Sequence, residues 1–380
     1  MEAGRGTGRF CVQTSIFAPM SYGKLIRLSL LLALVVMATG IFIISGWHSW
    51  IEQHYSTGFY PPLAAALRSG LGFLPFSLGD LLYSVAFLYI LYELFLFFRR
   101  LLNRKAGWKE KLIPLQKAII ALLALYVYFY LFWGLNYYRL GIEHQLSINN
   151  QQVQTSELKE LTTLLLQRVN QTKEICLQRQ DTIMDRQRMF RAAEQGYQRL
   201  EPKFSFLKYR NLSVKPSLFG KLGNYVGFEG YYNPFTGEGQ VNVRIPNFIQ
   251  PFVTCHEMAH QLGYASESEA NFVGFLAAAH STDTLQQYSA YFDMFLYSVN
   301  NLRRTDSTAA RQLVEQLHEG ARRDLRTYRR FLQEHRSYLS ELTDSLYDYY
   351  LKQNRQQKGI ESYHEVTGWL IAYHQKYGLP

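Results

Sequence analysis

Three long apolar stretches in the N-terminal third constrain this chain more than any other feature. They run from about Leu28 to Trp47, from about Leu81 to Phe98 with only Glu93 inside, and from about Ala118 to Tyr138. Each is close to the roughly 20 residues that cross a bilayer as a helix. A backbone in hydrocarbon must satisfy its own hydrogen bonds, so helices are the expected form. The first stretch is too long for the core of a cleaved signal peptide, and two more follow it. It therefore reads as an uncleaved anchor. Glu93 lies near the end of its span with Arg99 and Arg100 close by, which suits a structural pair or interface position better than an intramembrane functional group.

Basic residues orient the spans. Lys24 and Arg27 precede the first, and Arg99, Arg100, Arg104, Lys105, Lys109, Lys111 and Lys117 fill the second connection. The first connection holds Arg68 alone. The positive-inside rule then places the N-terminus and second connection in the cytoplasm and everything after Tyr138 outside it. Membrane orientation and anionic lipid account for much of the net charge of +10, so it is no argument for nucleic acid. The sequence contains no nucleotide-binding loop or nucleic-acid module. Residues 1–19 follow no pattern, whereas Met20 opens a natural lead into the first span, and translation is expected to start there. Cys11, Cys176 and Cys255 are too scattered for a metal pattern or a disulfide framework.

Beyond the spans, Thr155 or Ser156 can cap a helical region that continues to about Leu200, with Leu158, Leu161 and Leu165 on one stripe. From about Leu212 to Ile245 glycines, Pro216 and Asn233-Pro234 punctuate short β-prone runs, which predicts a small sheet. Such a sheet either borders a cleft, where it can pair with an extended peptide, or only packs beneath the next helix. From Ala270 onward the pattern is helical. Phe272, Val273, Phe275 and Leu276, then Tyr288, Tyr291, Phe292 and Phe295, form stripes expected to be core. Charges interrupt this region too often for a fourth span.

Between sheet and helices stands His256-Glu257-Met258-Ala259-His260. Positions i and i+4 share a helix face, so both imidazoles can grip one ion, and Glu257 can take a proton from a water activated there. This is the zincin arrangement of two His ligands and a Glu general base. Pro251 suits the first turn of a helix and Gly263 its stop. Cys255 points about 100° away around that helix, toward packing. A third, carboxylate ligand is expected from the next helix, where Ser266 and Glu269 spell a capping box. If Glu269 caps, Glu267 is the freer ligand; Glu269 is the alternate. Asn271, four residues after Glu267, is placed to hydrogen-bond a ligand His from behind. Tyr231, Tyr232 and Tyr291 are candidates for stabilising developing negative charge. His280, His318, His335, His364 and His374 lack ligand spacing.

Several of these segments together resemble a known family. They are Pro75-Phe76-Ser77-Leu78-Gly79-Asp80 before the second span, Trp133-Gly134-Leu135-Asn136-Tyr137-Tyr138-Arg139 closing the third, His256 through Gly263, and Glu267-Ser268-Glu269-Ala270-Asn271-Phe272. The chain resembles an uncharacterised bacterial domain-of-unknown-function family of three-span membrane proteins in the zincin-like metallopeptidase clan. The resemblance covers nearly everything after residue 19. It implies zinc and peptide hydrolysis. It also favours Glu267, because membrane-anchored clan members often carry Glu-x-x-Ala-Asp after the two His ligands, with that Glu on zinc; here Asn271 replaces the Asp.

The expected fold is a mainly α membrane protein: three N-terminal transmembrane helices, then a zincin-like α+β extracytoplasmic domain with a small sheet and an HExxH helix. Residues 1–23 form a cytoplasmic segment, 24–139 the anchor and 140–380 the metallopeptidase domain. The expected function is Zn²⁺-dependent hydrolysis of a peptide or protein substrate at the outer face of a bacterial cytoplasmic membrane, with the lipid bilayer as partner. His256, His260 and Glu267 hold the metal, Glu257 is catalytic and Asn271 supports a ligand. The rival is a membrane-tethered interaction or sensor module in which zinc only holds helices together.

Overall fold

The computed structural model describes residues 22–102, 108–148, 153–353 and 363–380. Cys11 and Met20 lie outside them. Three helices are long and apolar enough to cross a membrane: Tyr22–Ile44, Leu78–Leu102 and the Ile113–Phe132 part of Trp108–Phe132. These are α1, α4 and α5. Most of their side chains are exposed apolar groups, as a lipid-facing surface requires. Glu93 accepts from the Tyr89 hydroxyl (3.2 Å) one turn away rather than pairing with Arg99 or Arg100. The third apolar stretch does not stay helical to Tyr138. It breaks at Trp133 (φ −156°) and closes as a 3₁₀ turn over Gly134–Tyr138, with Asn136 Nδ2 donating to the Trp133 carbonyl (2.9 Å).

The connection between α1 and α4 is helical in its own right, although the sequence pattern offers no signal for it. It comprises α2 (His48–Trp50), a π-helical stretch (Ile51–Phe59) and α3 (Tyr60–Leu71). Every fourth residue from Glu52 through Ser56, Tyr60 and Ala64 to Arg68 is buried, so one continuous, largely polar face meets the rest of the molecule. Glu52 takes both forks of Arg139 (2.9 and 3.1 Å), the Leu140 N–H (3.1 Å) and Gln145 Nε2 (3.0 Å).

After α6 (Ile142–Leu146), the helical region expected to reach Leu200 is two helices, α7 (Thr155–Gln178) and α8 (Arg186–Leu200). Gln180 turns left-handed (φ 55°) and Asp185 restarts the chain by accepting from the Gln187 and Arg188 N–H groups. At the start of α7, Gln154 rather than Thr155 or Ser156 is the cap, in a reciprocal box with Glu157. The sheet is small: β1 (Val214–Pro216), then α9 (Gly220–Val226), then β2 (Gly230–Asn233) and β3 (Glu238–Val241). Its order is β1-β3-β2, with β1 parallel to β3 (Val214 opposite Gly239) and β2 antiparallel to it (Tyr231 opposite Gln240). The remainder is helical: α10 (Gln250–Gln261), α11 (Glu267–Ala279), α12 (Thr284–Thr305), α13 (Ser307–Glu315), α14 (Glu319–His335), α15 (Tyr338–Gln353) and α16 (Tyr363–Tyr377).

The main core lies where α7, α10, α11 and α12 pack together. Leu165, Val169, Phe272, Phe275, Phe292 and Phe295 have no exposed surface there; each contributes about 1.5–3 kcal/mol by its burial. The two stripes expected to be core are therefore core. A second cluster joins Leu34 and Ile41 of α1 to Tyr55, Tyr60, Val127, Trp133 and Ala265, so apolar packing runs from the spans to the turn after α10. The start of α4 and the segments just after α1 and α5 are bonded to one another, to the sheet and to α10. His48 Nδ1 donates to the Tyr138 carbonyl (2.7 Å), the Gly79 N–H to Glu238 (2.7 Å) and Trp133 Nε1 to the His260 carbonyl (3.3 Å).

Candidate metal centre

Helix α10 starts with Pro251 in its first turn and stops where Gly263 takes φ +87°, a conformation that a side chain resists. The chain reverses at once, and α11 begins at Glu267. His256 and His260 occupy adjacent turns of one face, their rings 4.7 Å apart. Glu267 faces both, with 3.2 Å to His256 Nε2 and 3.5 Å to His260 Nε2. One donor atom from each residue lies within 4.8 Å of the other two.

The alternate carboxylate is elsewhere. Ser266 holds the cap position of α11 in an extended conformation, but its side chain makes no capping bond, and the box expected with Glu269 does not form. Glu269 instead accepts from the Ile142 N–H (2.6 Å) at the head of α6. Asn271 Oδ1 lies 2.8 Å from His256 Nδ1, and the Tyr264 carbonyl lies 2.7 Å from His260 Nδ1. A carbonyl can only accept, so both Nδ1 atoms carry a proton and both Nε2 atoms are turned toward Glu267.

This donor set fits a zinc ion. Two ligand atoms about 2.0–2.1 Å from one tetrahedral ion lie about 3.3 Å apart, close to the 3.2 and 3.5 Å between Glu267 and the two Nε2 atoms. Glu257 adds a second sign: its Oε2 is buried and has no hydrogen-bond partner, which is costly unless something polar enters beside it. The β2 backbone lies close against it, since a Cβ at Gly230 would stand 2.4 Å from Glu257 Oε1. Burial raises the Glu257 carboxyl to about 7 against the pull of the two imidazoles. At Glu267 burial also works against the charge, but the imidazoles outweigh it and hold the carboxyl well below its usual range. His260 loses from burial and gains more from Glu267, reaching about 9. Glu267 and His260 thus favour each other's charged form, so a metal ion and a proton would compete for the same imidazole nitrogen. His256 and Glu267 keep partial exposure while His260 is buried, so the cluster opens on one side.

A family model described as Protein of unknown function (DUF3810) matches residues 55–371. The chain belongs to the DUF3810 family. No curated protein and no solved structure matches it. The stretch shared with DUF3810 takes in the His256 cluster, α4, α5 and most of the buried face running from Glu52 to Arg68, and leaves α1 outside.

That face contributes residues that the sequence reading of this DUF3810 chain had missed. The last carbonyls of α10 have no partner within the helix, and the membrane-flanking segments supply them. Trp133 Nε1 donates to His260 O (3.3 Å), the Tyr60 hydroxyl (3.2 Å) and Arg68 Nη1 (3.0 Å) to Gln261 O, and Arg139 Nη1 to Gly263 O (3.2 Å). Arg68 stands out in the sequence as the lone base of its connection, and Trp133 and Arg139 as the two ends of the segment closing the third apolar stretch; neither signal reveals a partner. Glu229, just before β2, was also missed. It accepts from the Tyr328 hydroxyl (2.8 Å), and burial raises its pKa. The three tyrosines considered for the site are engaged elsewhere: Tyr231 donates to Asp80, Tyr232 lies 3.2 Å from the Tyr60 hydroxyl and Tyr291 donates to the Pro380 carbonyl (2.5 Å).

Proposed function

We propose that this chain is a membrane-anchored zinc metallopeptidase of zincin type, hydrolysing peptide bonds outside the cytoplasm of a bacterial cell. The observation that carries the reading is the cluster of His256, His260 and Glu267, one donor atom from each within 4.8 Å of the others, with both Nδ1 atoms tied back and Glu257, whose buried Oε2 is unpartnered, close enough to feel all three charges. A structural zinc site needs the ligands but has no use for a buried, unpaired carboxylate.

Zinc supplies Lewis acidity, polarising a carbonyl and acidifying water. The chain's residues do the rest. His256, His260 and Glu267 form the ligand set. Asn271 and the Tyr264 carbonyl fix the imidazole orientations. Glu257 accepts the proton of the attacking water and returns it to the leaving amine, a role suited to a carboxyl whose burial lifts its pKa toward neutrality. Residues 24–139 serve as the anchor and 140–380 as the peptidase domain. The extracytoplasmic placement is supported by the basic residues at the far ends of α1, α4 and α5.

Metal analysis of the full chain purified in detergent tests the proposal. About one zinc per chain is expected, lost in His260→Ala and kept in Glu257→Gln. Peptide-library cleavage should then be present in the wild type and absent in Glu257→Gln. Absence of metal from the wild type after incubation with Zn²⁺ would falsify the reading. Metal retention with no cleavage of any peptide would favour the sensor module.

A further inference from the structure

A group of exposed apolar side chains lies outside the three candidate spans, on α9, the turn before it and α15. Leu222 and Tyr225, three residues apart, share an exposed apolar face of α9, and Leu218 is exposed in the turn just before it. Helix α15 packs on α9. The Ser337 hydroxyl donates to the Tyr225 carbonyl (2.6 Å), and the His335 and Tyr225 rings meet 5.0 Å apart. Along α15, Leu339, Leu342, Leu346 and Tyr349 recur at intervals of three, four and three, and all are exposed, Leu346 to 61%. This is the stripe of an amphipathic helix turned outward. An apolar surface of this kind marks an interaction site.

Its height on the molecule identifies what covers it. Asp80, in the first turn of α4, accepts from the Leu218 N–H (2.6 Å). Phe235, between β2 and β3, stacks on Tyr128 near the end of α5 (5.2 Å) and meets Tyr83 of α4 edge-on (6.3 Å). The first residue of the patch is therefore pinned to the end of a candidate span, where exposed Leu81, Leu82 and Val85 begin the lipid-facing surface of α4. Phe73 and Phe76, in the link leading to α4, are exposed at the same end. Exposed apolar residues thus occur at the start of α4, at Leu218 bonded to it, on α9 and on α15 packed against α9. Tyrosine prefers the lipid–water boundary, and exposed Lys221 beside Leu222 is placed to reach headgroup phosphates.

We propose that α9 and α15 form a platform lying in the outer lipid–water interface, with its Leu and Tyr stripe among the acyl chains beside α4. The inference rests on α1, α4 and α5 spanning the bilayer. Because β2 follows α9 closely and Gly230 abuts Glu257, the platform holds the His256 cluster close above the lipid. Substrates presented at the membrane surface, such as the juxtamembrane segments of other membrane proteins, are favoured over freely diffusing ones.

The test places an environment-sensitive bimane label in the full chain, reconstituted in vesicles of phosphatidylcholine and phosphatidylglycerol with and without acyl-chain bromination. Cys11→Ser removes one native thiol; Cys176 and Cys255 are buried. Labels go at Leu222→Cys and Leu346→Cys on the platform, Phe87→Cys in α4 and Ile183→Cys on the exposed connection between α7 and α8. All four positions are exposed, so the substitutions spare the core. Brominated lipid should at least halve emission at 222, 346 and 87 and leave 183 unchanged. Quenching at 87 with none at 222 and 346 overturns the platform while the spans stand. Shielding of 222 and 346 from aqueous iodide without lipid quenching also overturns it, since protein then covers the stripe. No quenching at 87 removes the spans and the platform together.

Discussion

His256 is oriented by an amide oxygen, that of Asn271, at 2.8 Å. The amide fixes the tautomer without the added charge that a carboxylate would bring to the ligand's basicity. Asn271→Ala should weaken zinc binding roughly 10–100-fold, and Asn271→Asp should tighten it, both read by chelator competition on the purified chain. An unchanged affinity in Asn271→Ala would show that the bond does not orient the ligand. Asp293 on α12 raises a different question. Burial, with Glu229 nearby, pushes its carboxyl well above the ordinary range. A group whose folded pKa exceeds its unfolded value of about 3.9 contributes stability that is fully present below that value and lost as pH rises through the folded pKa. Asp293→Asn removes this loss. Thermal unfolding in detergent should show the variant gaining on the wild type as pH rises from about 4. Parallel pH profiles would mean that Asp293 is solvated.

At the scale of elements, what was legible is what has local causes. Pro251 and Gly263 bracket α10, and the helix runs between them because a proline is tolerated in its first turn and a left-handed glycine ends it. The pair His256 and His260 follows from helical spacing alone. The choice between Glu267 and Glu269 was framed as a local capping question, and locally it has no answer: the bond that takes Glu269 away is to Ile142, 127 residues earlier. The stretch from His48 to Leu71 was passed over for the same reason. Its buried face carries Glu52, Ser56 and Arg68, residues that read as solvated until their partners are known, and the Gln261 carbonyl that Arg68 reaches is 193 residues distant. The apolar run ending at Tyr138 shows the converse error. Composition does not distinguish a side chain in lipid from one packed against protein, and Trp133 and Leu135 are buried in protein.

For the whole molecule, these distant partners make residues 48–139 part of the site's architecture. Tyr60, Arg68, Trp133 and Arg139 hold the end of α10. Below the sheet, Glu238 accepts from the Leu78 and Gly79 N–H groups (3.2 and 2.7 Å), Gln240 Nε2 donates to the Ser77 hydroxyl (3.0 Å) and Lys215 donates to the Gly72 and Leu74 carbonyls. A fragment comprising 140–380 loses all of these bonds and exposes the apolar surface on which Trp133 packs. Water replaces the partners, so each bond counts at its net value of about 1 kcal/mol. Together they still rival the roughly 5–15 kcal/mol by which a domain is stable at all. The fragment is therefore expected to unfold at a lower temperature than the full chain in detergent and to bind zinc more weakly, since His260 sits in the turn whose carbonyls have lost their donors. A fragment that matches the full chain in both unfolding temperature and zinc affinity would mean that the spans serve as a tether and that 140–380 folds around its own core alone.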